Sequence, residues 1–286
     1  MKFQDFWLSN ISEKNPPYKA LLFDVDGTLV SGRKPLPGAE NFLQLLRKNN
    51  TPFCFLTNDS NHSQEEKAAC MVRSQVTAYG HEVISCGNAL KIFAEKEKLT
   101  GSKVFVMGQC GNPGYAELAG LIPCREISEI DQCSFIIAGE GYYDFLRNAE
   151  AAVNYFRSYP DRKLVVPNPD SFWPNNGKVG FCAGAEARFI QSMLKELGID
   201  LQIVYLGKPH TMIYEYAVDF LKKKFDLPDL QKSEIIMTGD LLDSDIAGAK
   251  KFGCTSALMM TGLTTPEMLA KAPPEKTPDM VFDSIA

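Results

Sequence analysis

At 286 residues the chain has room for one large domain or two ordinary ones, taking about 150 residues per domain. A hydrophobic share of 45% and a charged share of 23% are those of a soluble globular protein, and they exclude a disordered or fibrous chain. A formal net charge of −5 and a pI near 5.4 leave no basic surplus, so no nucleic-acid partner is expected. No apolar run approaches the roughly 18 residues that span a bilayer, and no membrane partner is expected either. The opening stretch carries Asp5 and no apolar h-region, unlike a secretory signal. Eight cysteines include no C-x-x-C pair; Cys54, Cys86 and Cys182 stand among apolar or small residues and read as buried free thiols. A reducing, cytoplasmic location fits that reading, with a disulfide framework or zinc site as the alternative.

In chain order, short apolar runs alternate with segments of helical period. Ala20–Phe23, Phe53–Leu56, Val104–Met107, Phe135–Ala138, Leu164–Val166, Ile203–Leu206, Ile235–Met237 and Ser256–Met260 read as strands covered on both faces. Ala39–Asn49, with Phe42, Leu45 and Leu46 on one face, reads as a helix, as do Ala185–Leu197, Met212–Lys224 and Ile246–Phe252. Pro266–Pro278 reads as a surface connection before a last strand, Met280–Phe282. Strand and helix alternating this often predict an α/β protein with a doubly wound, Rossmann-like parallel sheet.

Four strand ends carry polar residues for which a core has no use. Asp24-Val25-Asp26-Gly27-Thr28 follows the first strand and Thr57-Asn58-Asp59 ends the second. Gly207-Lys208-Pro209 follows Ile203–Leu206, and Gly239-Asp240, with Asp243 and Asp245, follows Ile235–Met237. Ligands of doubly wound sheets bind beyond the carboxyl ends of the strands, so all four can meet at one sheet edge. Asp24 and Asp26 repel, which pushes their pKa values apart and separates their roles. Asp240 and Asp245 add negative charge, and such a cluster implies a hard divalent cation; oxygen ligands favour Mg²⁺. Lys208, the Thr57 hydroxyl and the Asn58 amide suit a phosphoryl group, so the pattern points to phosphoryl transfer.

These four motifs, in this order, resemble the haloacid dehalogenase superfamily. With Asn168-Pro169-Asp170 and Thr261-Gly262-Leu263-Thr264-Thr265 they resemble its NagD-like phosphatases, over residues from about 20 to 283. One departure is Asp59, where relatives often carry a second Asn. The resemblance implies that Asp24 is the nucleophile and forms an aspartyl-phosphate, with Asp26 as general acid and then base. Thr57 and Asn58 would hold the phosphoryl oxygens and Lys208 would neutralise phosphate and nucleophile. Mg²⁺ would be held by Asp24, the Asp26 carbonyl and Asp240, while Asp245 orients the outer shell and caps the helix from Ile246. It further implies hydrolysis of a small phosphorylated metabolite such as a sugar phosphate, and a possible homodimer through the cap.

About thirty residues separate Asp26 from Thr57, enough for one crossover, whereas roughly 150 separate Asn58 from Lys208. An inserted α/β cap of the C2 type is therefore expected over 86–203, with 1–85 and 204–286 forming the catalytic core. The stretch Asn168–Gly177, rich in turn formers and carrying Phe172 and Trp173, has two readings: these aromatics anchor the loop, or Trp173 packs on the leaving group of the substrate. Asp243 is equally open between a solvated acid and a place near the metal. His210 is read as starting the next helix, and Lys222-Lys223-Lys224 as a solvated helix end. A phosphotransferase or mutase using the same aspartyl-phosphate, and a non-catalytic phosphate sensor, are the competing functions.

Overall fold

The apolar runs become buried strands: every residue of Ala20–Phe23 and of Phe53–Thr57 is buried, as strands covered on both faces require. A computed structural model describes residues 1–175 and 178–286. Its elements begin with α1 (Phe3–Ser12), β1 (Ala20–Phe23), the short strands β2 (Val30–Ser31) and β3 (Lys34–Pro35), α2 (Ala39–Lys48), β4 (Phe53–Thr57), α3 (Gln64–Arg73) and β5 (Val83–Ser85). They continue with α4 (Leu90–Lys96), β6 (Lys103–Met107), α5 (Tyr115–Leu118), β7 (Ile122–Cys124), β8 (Ile136–Ala138), α6 (Phe145–Ser158) and β9 (Lys163–Val166). Next come β10 (Phe172–Asn175), β11 (Lys178–Phe181), α7 (Ala183–Glu196), β12 (Gln202–Tyr205) and α8 (Met212–Lys224). The last are β13 (Ile235–Gly239), α9 (Ala247–Phe252), β14 (Thr255–Met259), α10 (Pro266–Ala270) and β15 (Met280–Phe282). The chain divides into one unit of Met1–Thr57, Gln64–Ile84 and Lys208–Ala286, and a second of Asn58–Ser63 and Ser85–Gly207.

In the first unit six strands lie in the order β15-β14-β13-β1-β4-β5. The pairs from β15 through β4 are parallel. This is the doubly wound order, and its reversal falls between β1 and β13. Those two strands run in register from Ala20 opposite Ile235 to Phe23 opposite Thr238, so Asp24 and Asp240 emerge at the same edge. Their framework is a core in which Phe3 and Phe42 meet edge to face and Phe23 packs edge on against both. Phe3 and Trp7, one helical turn apart, bury the inner face of α1.

The second unit is a parallel sheet in the order β12-β9-β8-β6-β7. Its core joins Phe105, Ile136 and Leu164 of the sheet to Phe156 of α6 and Ile190 of α7. The antiparallel hairpin of β10 and β11 pairs Phe172 with Phe181 and Trp173 with Gly180. Both units are α/β, which matches the expected class. All eight cysteines are free thiols, and Cys54, Cys86 and Cys182 are buried. Among the described residues no helix is long and apolar enough to cross a membrane.

Three local readings change. Pro266 opens α10 instead of lying in a plain connection: Thr265 accepts a hydrogen bond from Met268 N, and proline suits the first helical position because its missing N–H has no partner to lose. The stretch predicted as one loop over Asn168–Gly177 enters β10 at Phe172; Asn176 and Gly177 lie outside the described residues. Asp245 does not cap a helix. It lies inside a π-helical turn, Leu242–Ile246, before α9 starts at Ala247, and its Oδ2 reaches back to accept from Leu241 N at 3.0 Å.

Candidate active site

The site of the first unit begins where β1 ends. Asp24 N donates to Thr238 O at 2.9 Å, extending the ladder to β13 by one residue and fixing the backbone of the first aspartate. The chain then turns tightly, with Gly27 N donating to Val30 O and Leu29 N to Val25 O. Gly27 is required here: its φ is +87°, and a Cβ would stand 2.5 Å from Asp240 Oδ2.

Lys208 is 1% exposed and its Nζ lies 2.6 Å from Asp24 Oδ1 and 2.7 Å from Asp245 Oδ1. Burial works against its charge, but the two carboxylates hold the ammonium well above the usual lysine range. Burial, together with the nearby Asp245 and Asp240, pushes Asp24 well above the usual carboxylate range despite the pull of Lys208. Asp240 is pushed up to about 7 by burial and by Asp245. Three carboxylates facing one ammonium leave the cluster short of positive charge.

Oxygens of Asp24, Asp240 and Asp245 lie within 4.8 Å of one another, as ligands of one cation must. Asp240 Oδ2 accepts from Leu263 N at 2.7 Å, and its main-chain carbonyl accepts from Thr264 Oγ1 at 2.5 Å. Its Oδ1 is buried and has no hydrogen-bond partner among the described residues. An orphaned carboxylate oxygen in an all-oxygen set fits a hard divalent ion. Asp245, with one oxygen on Lys208 and the other on Leu241 N, is committed to holding the lysine. Asp243 points outward, 77% exposed and paired with Lys276 at 2.5 Å.

Asp26 stands at the rim, its side chain 69% exposed. Thr57 is the buried last residue of β4, the strand beside β1. A residue the sequence reading missed joins them: Lys67 of α3 places its Nζ 3.2 Å from Asp26 Oδ2. The available signal was its position one turn before buried Met71, on the inward face of the helix. His210 lies two residues before α8 begins, half-buried, its pKa lowered to about 4 by burial and by Lys251.

In the second unit, Asn58 Nδ2 donates to Asp170 Oδ2 at 3.2 Å and Cys86 Sγ to Asn58 O at 3.1 Å. Asn168 donates to Glu140 Oε1 at 2.7 Å, and Glu140 Oε2 accepts from Ser60 N and Oγ. Glu140, also missed from the sequence, therefore ties the Asn168-Pro169-Asp170 turn to the segment after Asn58. Trp173 sits half-exposed on the β10–β11 hairpin, its indole over Gly180, where a Cβ would lie 2.3 Å from Nε1.

A doubly wound sheet that brings a carboxylate cluster and a buried lysine to its switch point has the arrangement of an α/β enzyme whose ligand binds at the carboxyl edge of its strands. A model of haloacid dehalogenase-like hydrolases matches residues 21–122, and a second HAD-hydrolase-like model matches 205–286. Together they take in more than half of the chain, and the protein belongs to the haloacid dehalogenase-like hydrolases. An acid sugar phosphatase of Staphylococcus saprophyticus is 26% identical over 267 residues, covering 91% of this chain and 94% of that protein. A p-nitrophenyl phosphatase structure from Archaeoglobus fulgidus superposes with a TM-score of 0.76 at 23% identity, over 94% of this chain and 97% of that one. A glycerol phosphate phosphatase from Mycobacterium tuberculosis, in complex with calcium, gives 0.79 at 24% identity, over 94% and 74%. At these identities the two structures speak for the fold.

Proposed function

We propose that the protein is a Mg²⁺-dependent phosphatase of small phosphomonoesters that works through an aspartyl-phosphate on Asp24, with the first unit as catalytic core and the second as cap. The observation that carries this is the salt-bridged Asp24–Lys208 pair at the switch point, beside the orphaned Asp240 Oδ1. Similarity to acid sugar phosphatases supports sugar phosphates as the substrate class. The M. tuberculosis relative, solved in complex with magnesium as well as calcium, supports a divalent metal.

Asp24 attacks phosphorus through its carboxylate while Lys208 neutralises charge on nucleophile and phosphoryl group. Asp26 protonates the departing alkoxide, then takes a proton from the water that hydrolyses the aspartyl-phosphate. Thr57 and Asn58 supply donors to the phosphoryl oxygens. Asp24, the Asp26 carbonyl and Asp240 would hold Mg²⁺, which supplies charge neutralisation between carboxylates and phosphate when bound. Asp245 keeps Lys208 in place. Trp173 is assigned to the leaving-group side of the substrate. Phosphate release from a panel of sugar phosphates and other phosphomonoesters, with Mg²⁺ and with EDTA, tests the proposal; no release from any ester would overturn it.

A further inference from the structure

We propose that Lys67 is a positioning residue for the general acid, holding one oxygen of Asp26 so that the other faces the leaving group. This rests on the phosphatase reading above. Lys67 is 9% exposed and shares the inward face of α3 with Ala68 and Met71, a place where an apolar side chain would satisfy the helix. Putting an ammonium there departs from the helical pattern, and departures of that kind concentrate at functional sites. The Lys67 Nζ is directed to Asp26 Oδ2 at 3.2 Å, while the Asp26 side chain is 69% exposed. A rim carboxyl on a turn rotates freely in solvent; a cation whose stem is held in the protein interior anchors it in one orientation. Oδ1 is then the oxygen that exchanges protons. In the first half-reaction the bond from Asp24 oxygen to phosphorus forms, the bond from phosphorus to the alkoxide breaks, and the alkoxide takes the proton carried on Asp26 Oδ1.

An alkoxide needs that proton and a nitrophenolate does not, so the role has a signature in leaving-group dependence. The experiment measures kcat/KM, which reports steps only through the first transfer to Asp24, for an alkyl phosphate, phenyl phosphate and p-nitrophenyl phosphate in Mg²⁺. Wild type is compared with Lys67→Met, Lys67→Gln, Lys67→Arg, Asp26→Asn and the double variant Lys67→Met/Asp26→Asn. The neutral variants should lose about tenfold to a hundredfold on the alkyl ester and little on p-nitrophenyl phosphate. Lys67→Arg should recover most of the loss, and the double variant should be no slower than Asp26→Asn. A merely structural lysine would slow all three esters by the same factor, or its loss would multiply that of Asp26→Asn. Either result overturns the role of Lys67 while wild-type turnover leaves the phosphatase reading standing. Absence of wild-type turnover on every ester overturns both.

Discussion

The ammonium of Lys208 lies 2.6 Å from the carboxylate of Asp24, although 184 residues of chain separate the two. Lys208 also touches Asp245, so the ammonium is shared between the part-buried Asp24 and the buried Asp245, with buried Asp240 close by. The electrostatics of the site follow from that shortage of positive charge.

Asp24→Asn tests the nucleophile. The amide keeps the shape of the carboxylate, removes the attacking charge and relieves repulsion from Asp245 and Asp240, while Asp245 continues to satisfy Lys208. Turnover should fall below about 1% of wild type. The melting temperature should hold or rise. Phosphate-release assays and a thermal melt on the same sample check both halves, and residual activity of more than a few per cent would remove Asp24 from its role.

Metal and pH should be linked. Asp24 is raised, and Asp240 is raised to about 7, in the metal-free protein. The metal-free native state therefore holds protons that the unfolded chain releases near pH 4, and this contribution to stability is lost as pH rises through the native values. Mg²⁺ requires the ionised carboxylates, so its stabilising effect should grow with pH. Thermal melts with Mg²⁺ and with EDTA should separate further at pH 8 than at pH 5. A shift that is constant or larger at pH 5 would contradict the assignment. Ca²⁺ should raise the melting temperature without supporting turnover, because it takes more ligands at longer distances.

Gly27→Ala should damage the metal site through the backbone. At φ +87°, with Asp240 Oδ2 2.5 Å from the added Cβ, the turn must shift or the carboxylate must move. The cost in stability should be about 1–3 kcal/mol, and half-maximal activation should need more Mg²⁺. A titration of activity against Mg²⁺, beside a denaturant melt, separates the two effects; an unchanged Mg²⁺ requirement would show that the carboxylate accommodates the methyl group.

Trp173→Ala should re-rank substrates. The Nε1 edge of the indole lies over Gly180, yet the side chain remains half-exposed. KM for the best ester should rise about tenfold, equal to about 1.4 kcal/mol, with a smaller change on p-nitrophenyl phosphate, which depends mainly on phosphate contacts. A uniform loss across substrates with a lowered melting temperature would instead make the tryptophan a brace for the hairpin.

The strands of both sheets other than β5 and β7, and the aspartates that follow β1 and β13, are legible because each rests on local sequence: an apolar run, then residues that a core excludes; β5 offers only two apolar residues and β7 carries Pro123. The helices α1 and α6 and the β10–β11 hairpin are less legible. In α1 the polar Asn10 shares the buried face with Phe3 and Trp7 and blurs its apolar period, and Phe172 and Phe181 of the hairpin are exposed although apolar.

What the sequence determined by itself was the α/β alternation, the identity of the acids and of Lys208, and the phosphoryl-transfer chemistry those residue types allow. Which of them share a charge was decided only by tertiary structure. The order of strands places Asp24 beside Asp240, and a backbone turn aims Asp245 at Leu241 N and Lys208 where a helix cap was expected. Lys67, one lysine among many in the chain, becomes a partner of Asp26 because α3 turns it inward. Pattern along a chain records which residues prefer burial; it carries no distance between residues far apart in sequence, and hydrogen bonds and charge pairs depend on that distance.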